Sequence, residues 1–146
     1  MEFLSENVEE TAKVASEFAE QLSRRAPSAR ATIVGLYGEL GSGKTTFMKY
    51  LAESLGVKQT IQSPTFVIEK IYELPTLSFS YLIHIDAYRI EKGQEMLTLG
   101  WEEIVKDPQN LICIEWPERI RGIIPEHIMV RFEHGKRKNE RQISIA

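Results

Sequence analysis

The sequence lacks a second cysteine. Its only one, Cys113, cannot form an internal disulfide and lies in the apolar run "LICI", where a buried thiol is ordinary. No apolar run approaches the roughly 20 residues needed to span a bilayer. The opening "MEFLSENVEE" is acidic, without the basic end and long apolar stretch of a secretion signal. The expectation is a soluble, cytoplasmic protein with a reduced thiol. An excess of basic residues is missing too. Eighteen Lys and Arg stand against 21 Asp and Glu, a net charge of −3, so the chain as a whole is a poor polyanion binder. Any nucleic-acid role needs a local patch. There is no internal repeat, low-complexity segment or interdomain linker, and 146 residues suit one domain, 1–146, with its own core.

What is present is an alternation of helical and strand-like segments. Val8, Ala12, Ala15, Phe18, Ala19 and Leu22 recur at helical spacing, which predicts an amphipathic helix over 7–25. Asn7 and Glu10 form a loose capping-box start, and Pro27 follows the end. "ATIVGLY" (31–37) is short, branched and apolar, as a strand buried on both faces should be. Beyond a glycine-rich turn, Phe47, Met48, Leu51, Ala52 and Leu55 mark one face of a second helix, stopped by Gly56. "TFVIEKIYE" (65–73) and "FSYLIHID" (79–86) read as an antiparallel strand pair. A helical region over 93–106 is broken near Gly100, "LICIEW" (111–116) is another buried strand, and "HIMVRFE" and "RQISIA" pair across the polar turn "HGKRKN". The fold class expected is α/β.

The chemistry concentrates in "YGELGSGKTTF". Gly38, Gly43, Lys44 and Thr45 satisfy G-x-x-x-x-G-K-[ST], which a chain of this size matches by chance roughly once in two hundred cases. The match lies between a buried strand and an amphipathic helix, the setting its mechanism requires. Glycines at 38, 41 and 43 permit positive φ and turn backbone N–H groups inward as an anion nest at a helix N-terminus. Lys44 supplies a cation for the β- and γ-phosphates, Thr45 a hydroxyl for Mg²⁺, and Thr46 a hydroxyl for the α-phosphate or for starting the helix.

Such a loop needs an acidic partner at the end of a neighbouring strand. Asp86 ends "YLIHID" and Glu115 ends the apolar strand run "LICIE"; the residues alone do not divide metal binding and water orientation between them. His84 and Asp86 share one face of a strand, but with no further His or Cys nearby a zinc site is not expected. "QSPTF" reads as a strand entry or as a switch in which Ser63 and Thr65 sense the γ-phosphate or metal. Lys136, Arg137, Lys138 and Arg141 make the one basic cluster, a solvated turn or a contact for RNA, an acidic partner or the nucleotide. Trp101 continues an apolar pattern and belongs to the core. Trp116 follows Glu115 and is expected to be exposed beside the site, as a partner contact would be.

"GELGSGKTT", "SPTF", "HIDAYR" and "IEWPE", in this order, resemble the TsaE (YjeE) family, the bacterial ATPases of tRNA threonylcarbamoyladenosine synthesis. The resemblance covers nearly the whole chain, from Thr11 to the terminal strand pair. It implies a P-loop NTPase-like three-layer fold with a mixed, mostly parallel sheet and antiparallel additions. It also implies ATP and Mg²⁺ as ligands, slow hydrolysis alone, and activation by two partners, TsaB and TsaD. That pair modifies adenosine 37 of tRNA, and ATP turnover by the family would reset it between cycles, with tRNA contact indirect. Lys44, Asp86 and Glu115 would be catalytic, with Thr45 and Glu115 holding the metal and Asp86 positioning water. The nucleotide would lie against Thr11, Glu39, Leu40, Gly41, Ser42, Gly43, Lys44, Thr45, Thr46 and Arg141. Ser63 and Thr65 would form the switch, and Trp116 would face a partner. The turn "EHGKRKNERQ" is more basic and slightly longer than the family pattern.

Two rivals use the same loop. A small-molecule P-loop kinase needs an arginine-bearing lid and an acceptor pocket, for which the chain has little spare sequence. A nucleotide-dependent assembly factor needs no catalysis of its own. A GTPase is disfavoured, because no N-K-x-D segment is present.

Overall fold

A computed structural model gives the protein's architecture and describes residues 1–26, 28–59, 69–76 and 78–146. Its elements in chain order are β1 (Glu2–Ser5), α1 (Val8–Arg24), β2 (Thr32–Tyr37), α2 (Lys44–Ser54), β3 (Glu69–Glu73), β4 (Tyr81–Asp86), a 3₁₀ segment (Gly93–Leu99), α3 (Trp101–Lys106), β5 (Asn110–Glu115), a second 3₁₀ turn (Pro117–Ile120), β6 (Ile128–His134) and β7 (Arg141–Ile145). The strands form one seven-stranded sheet in the order β1-β7-β6-β2-β5-β4-β3. Its centre, β6-β2-β5-β4, is parallel. The antiparallel strands β7 and β1 extend one edge and β3 the other, so the sheet is mixed in the way expected.

Side-chain alternation along the strands divides the core into two layers. Val34, Leu36, Leu82, Leu111, Cys113, Val130 and Phe132 face α1 and α2, packing with Phe18, Leu22, Phe47, Met48 and Leu51. Ile33, Ile83, Ile85, Ile112 and Ile114 face the other way, against Met96, Trp101 and Ile120 of the short helical segments. Helices on both faces of a central sheet make the three-layer architecture of P-loop NTPases. Trp101 is in the core as its pattern predicts.

Most boundaries lie within two residues of the sequence reading, and the exceptions have local causes. Asn7 caps α1 by accepting the Glu10 N–H at 2.9 Å, but the Glu10 carboxylate reaches back to the N–H of Glu6 and not to that of Asn7, so the reciprocal half of the box is displaced by one residue. The break at Gly100 is a left-handed residue (φ 76°) that ends the 3₁₀ segment and starts α3. Strand β1 was not anticipated: four residues on a sheet edge, two of them exposed, leave no apolar alternation to detect. Pro27 and the first four residues of the 65–73 segment lie outside the described residues. Among the described residues, no helix is long and apolar enough to cross a membrane.

Candidate functional site

The site is assembled at the carboxyl ends of β2, β4 and β5, where the parallel centre of the sheet meets the start of α2. Strand β2 is buried almost throughout and delivers the chain to Gly38. The loop then turns through Gly38 (φ 153°), Gly41 (φ 76°) and Gly43 (φ 105°). A Cβ at Gly38 would lie 2.6 Å from the Ser42 hydroxyl and 2.8 Å from the Phe132 carbonyl, so there glycine is required by space as well as by φ. Gly43 is the residue before α2 and caps it with no side chain. The first N–H groups of this 11-residue helix are therefore left for something else, as at anion-binding helix starts.

Around this loop lies a cavity of about 390 Å³. The loop side contributes Leu40, Gly41, Gly43, Lys44, Thr45 and Thr46, and the facing strand ends contribute Asp86, Glu115 and Trp116. A second hollow of about 330 Å³ continues past Gly43 and Thr46 to Asn7, Thr11 and Asn139. Arg141 lines both, and donates to the Gly41 carbonyl at 3.2 Å as well as to the carbonyls of Lys138 and Glu140. The basic turn is thus tied to the glycine loop through its last arginine. Thr11 is buried, and its hydroxyl lies 2.7 Å from that of Ser5.

The central residues are electrostatically coupled. Thr45 Oγ1 donates to Glu115 Oε1 at 3.2 Å, and Asp86 and Glu115 are register partners on adjacent parallel strands. The Asp86 carboxylate accepts the Tyr88 N–H at 3.0 Å, and its pKa is held above the usual value chiefly by burial, with Glu115 adding to the shift. Burial pushes the Lys44 ammonium down, against the pull of Glu115, Glu118 and Asp86. The Lys44 Nζ donates to the Gly38 carbonyl and lies 3.5 Å from the centroid of the Trp116 ring.

Trp116 differs from its expectation. It is half-buried and turned over Lys44, with its ring also against Tyr88, where an outward-facing side chain was expected. Among the described residues it is the only non-glycine with positive φ (59°), a strained conformation of the kind that gathers at functional sites. The Glu39 side chain is exposed in a separate hollow with Tyr37, Arg131 and Glu133, so of Glu39 only the backbone belongs to the loop, its carbonyl accepting the Ser42 N–H. Ser42 is fully buried beneath the turn, and its hydroxyl has no partner among the described residues. Ser63 and Thr65 lie outside the described residues.

Two lining residues, Tyr88 and Arg89, were passed over in the sequence although "HIDAYR" contains them. His84 was weighed only as a zinc ligand. It is fully buried and donates from Nε2 to Glu115 Oε2 at 2.8 Å. The signal that could have found it is the parallel pairing of "HID" with "CIE", which aligns His84 with Cys113, two residues before Glu115 on the same face.

The donor set fits a hard divalent ion with phosphates. Thr45 and the carboxylates offer only oxygen, and among the described residues no three His, Cys, Asp or Glu side chains converge into a ready-made cage. That suits Mg²⁺, which binds through one or two carboxylates plus substrate oxygens and water.

Comparison with known proteins shows what the chain is similar to. A family model described as "Threonylcarbamoyl adenosine biosynthesis protein TsaE" matches residues 5–143. The chain is 40% identical over 91 residues to the "tRNA threonylcarbamoyladenosine biosynthesis protein TsaE" of Borreliella burgdorferi, covering 62% of this chain and 64% of that one, slightly less than two thirds of the relative's length. It is 37% identical over 123 residues to the protein of the same name from Aquifex aeolicus, covering 78% and 86%. A crystal structure of Bacillus subtilis YdiB superimposes with a TM-score of 0.76 at 28% identity, covering 99% of this chain and 83% of that one.

Proposed function

The chain belongs to the TsaE family of tRNA threonylcarbamoyladenosine biosynthesis, and from that membership we propose that it is a Mg²⁺-dependent ATPase whose turnover serves a transferase built from TsaB and TsaD. The observation that carries the reading is the glycine loop, with an uncapped helix start behind it, facing Glu115 across the Thr45 hydroxyl at 3.2 Å.

The position of each residue supports a role for it. Backbone N–H groups of the loop and the start of α2 would hold the phosphates, helped by Lys44 once its ammonium leaves the Gly38 carbonyl and the Trp116 ring. Thr45 and Glu115 would hold Mg²⁺, which when bound neutralises charge on the phosphate oxygens. Asp86, its carboxyl oxygen already engaged by the Tyr88 N–H, stands across from Glu115 to orient the attacking water. Thr46, Thr11 and Arg141 would meet the rest of the nucleotide in the adjoining hollow.

Phosphoryl transfer asks mainly for positioning and charge stabilisation, so an incompletely assembled site is slow. The inward lie of Trp116 over Lys44 is consistent with a resting state that a partner relieves. The purified protein is expected to bind ATP with Mg²⁺, release phosphate slowly, and accelerate when mixed with TsaB and TsaD. Phosphate release that is unchanged by the two partners would overturn the partner-driven reading. Rapid transfer to a small acceptor by the chain alone would favour the kinase instead.

A further inference from the structure

His84 is fully buried next to the site, and the roles assigned above do not use it. It projects from β4 on the face of Leu82 and Asp86, beneath the start of α2. Carboxylate oxygens of an ionised Glu115 accept hydrogen bonds only, so the 2.8 Å contact fixes the proton on Nε2. Nδ1 is buried and has no partner among the described residues. A ring kept only for packing would be better replaced by an apolar one, which leaves no orphaned nitrogen. Among the described residues, the polar bond that this imidazole makes is the one to Glu115.

Glu115 needs such a bond. Its carboxyl group turns freely about the last side-chain torsion unless something holds it, and a single neighbour at Oε1 does not fix the plane. With Thr45 Oγ1 on Oε1 at 3.2 Å and His84 Nε2 on Oε2 at 2.8 Å, both oxygens are assigned. We propose that His84 is a positioning residue: its Nε2–H anchors Oε2 of Glu115 so that Oε1 is presented to Thr45 and to a Mg²⁺ bound beside it. Partners that orient ligating side chains in this way commonly change metal affinity or activity by roughly 10- to 100-fold when removed.

The inference rests on the Mg²⁺–ATP reading above, and its test separates the two. The whole chain is titrated with Mg²⁺ while binding of a fluorescent ATP analogue is followed, alongside binding in EDTA and phosphate release. Three variants are compared: His84→Leu, His84→Gln and His84→Asn. A glutamine amide nitrogen reaches the position of Nε2, whereas that of asparagine reaches only the position of Nδ1. His84→Leu is expected to raise the Mg²⁺ concentration at half-effect about 10- to 100-fold, with Mg²⁺-free nucleotide binding unchanged. Glutamine restores most of this and asparagine does not. If leucine does not yield folded protein, the glutamine and asparagine pair carries the test, since both keep a polar amide. Equal Mg²⁺ requirement in parent and leucine variant, or in glutamine and asparagine variants, overturns the role of His84 alone. A parent whose nucleotide binding ignores Mg²⁺ overturns the underlying reading and this inference with it.

Discussion

Lys44, Asp86 and Glu115 reach the cavity from the ends of central parallel strands and the helix that β2 feeds, whereas Thr11 and Arg141 line the adjoining hollow from the first helix and the last hairpin. The two groups differ in how they are held. Central charges are desolvated and act on one another: burial raises Asp86, lowers Lys44, and leaves Glu115 gripped by Thr45 and His84. Arg141 is half-buried and held by backbone carbonyls, and Thr11 by a neutral hydroxyl. Groups held at fixed strand ends suit chemistry, because positioning there costs nothing at the moment of reaction. Groups held by loop carbonyls suit ligand affinity.

Replacing Glu115 by Ala should break the central half most severely. Mg²⁺-dependent phosphate release is expected to fall by about 100-fold or more, the scale on which a preorganised charge-stabilising group acts. Near-parental release by that variant would remove Glu115 from the metal role. Arg141→Ala should act on the other half. It cuts the link to the Gly41 carbonyl and is expected to weaken nucleotide binding about tenfold, equivalent to ~1.4 kcal/mol, while the Mg²⁺ requirement stays put. A shift in Mg²⁺ requirement as large as the loss of affinity would dissolve the distinction between the halves.

Legibility in the sequence follows the same division. Central residues were found because each is local: a glycine pattern next to a buried strand, an acid at the end of "YLIHID", another at the end of "LICIE". Strand burial and periodicity also located β2 to β7, with β3 and β7 as antiparallel additions because each follows or precedes its partner by a short connection, whereas β1 pairs with the far end of the chain and was missed. Trp116 was misjudged because its neighbours in sequence say nothing of its left-handed backbone, which turns the ring inward over Lys44. The bond from His84 to Glu115 was missed because its partner is 31 residues away, and only the register of β4 against β5 brings them together. The tie between Arg141 and Gly41, 100 residues apart, depends on how the terminal hairpin packs, so motif position alone could suggest the residue but not its contact.

Asp86→Asn sharpens the contrast through stability. Asparagine keeps an oxygen for the Tyr88 N–H but removes the buried charge. The folded Asp86 carboxyl has a pKa above its ordinary 3.8, so its contribution to stability is fully present below that value and is lost as pH rises through the raised one. In EDTA the variant is therefore expected to melt higher than the parent at neutral pH, with the advantage shrinking as pH falls through the mildly acidic range. The same variant should bind nucleotide and fail to hydrolyse it. A melting difference that does not change with pH would mean that desolvation of Asp86 is not what separates the two halves.

Thr11→Val should have the smallest effect, because the hydroxyl it removes leaves its partner satisfied: Ser5 Oγ still donates to the Asn7 carbonyl at 2.8 Å. The lost bond to Ser5 is expected to cost about 0.5–1 kcal/mol, which for a domain of this size is a fall of ~1–4 °C in melting temperature. Valine matches threonine in shape, so packing against the start of α1 is preserved. If Thr11 only braces the N-terminal strand against α1, nucleotide affinity should follow stability and barely move. A several-fold loss of affinity with that small melting shift would instead put the Thr11 hydroxyl in contact with the nucleotide. Thr11 would then join Arg141 as a binding group of the peripheral half, since a hydroxyl that serves the ligand costs little when the ligand is absent.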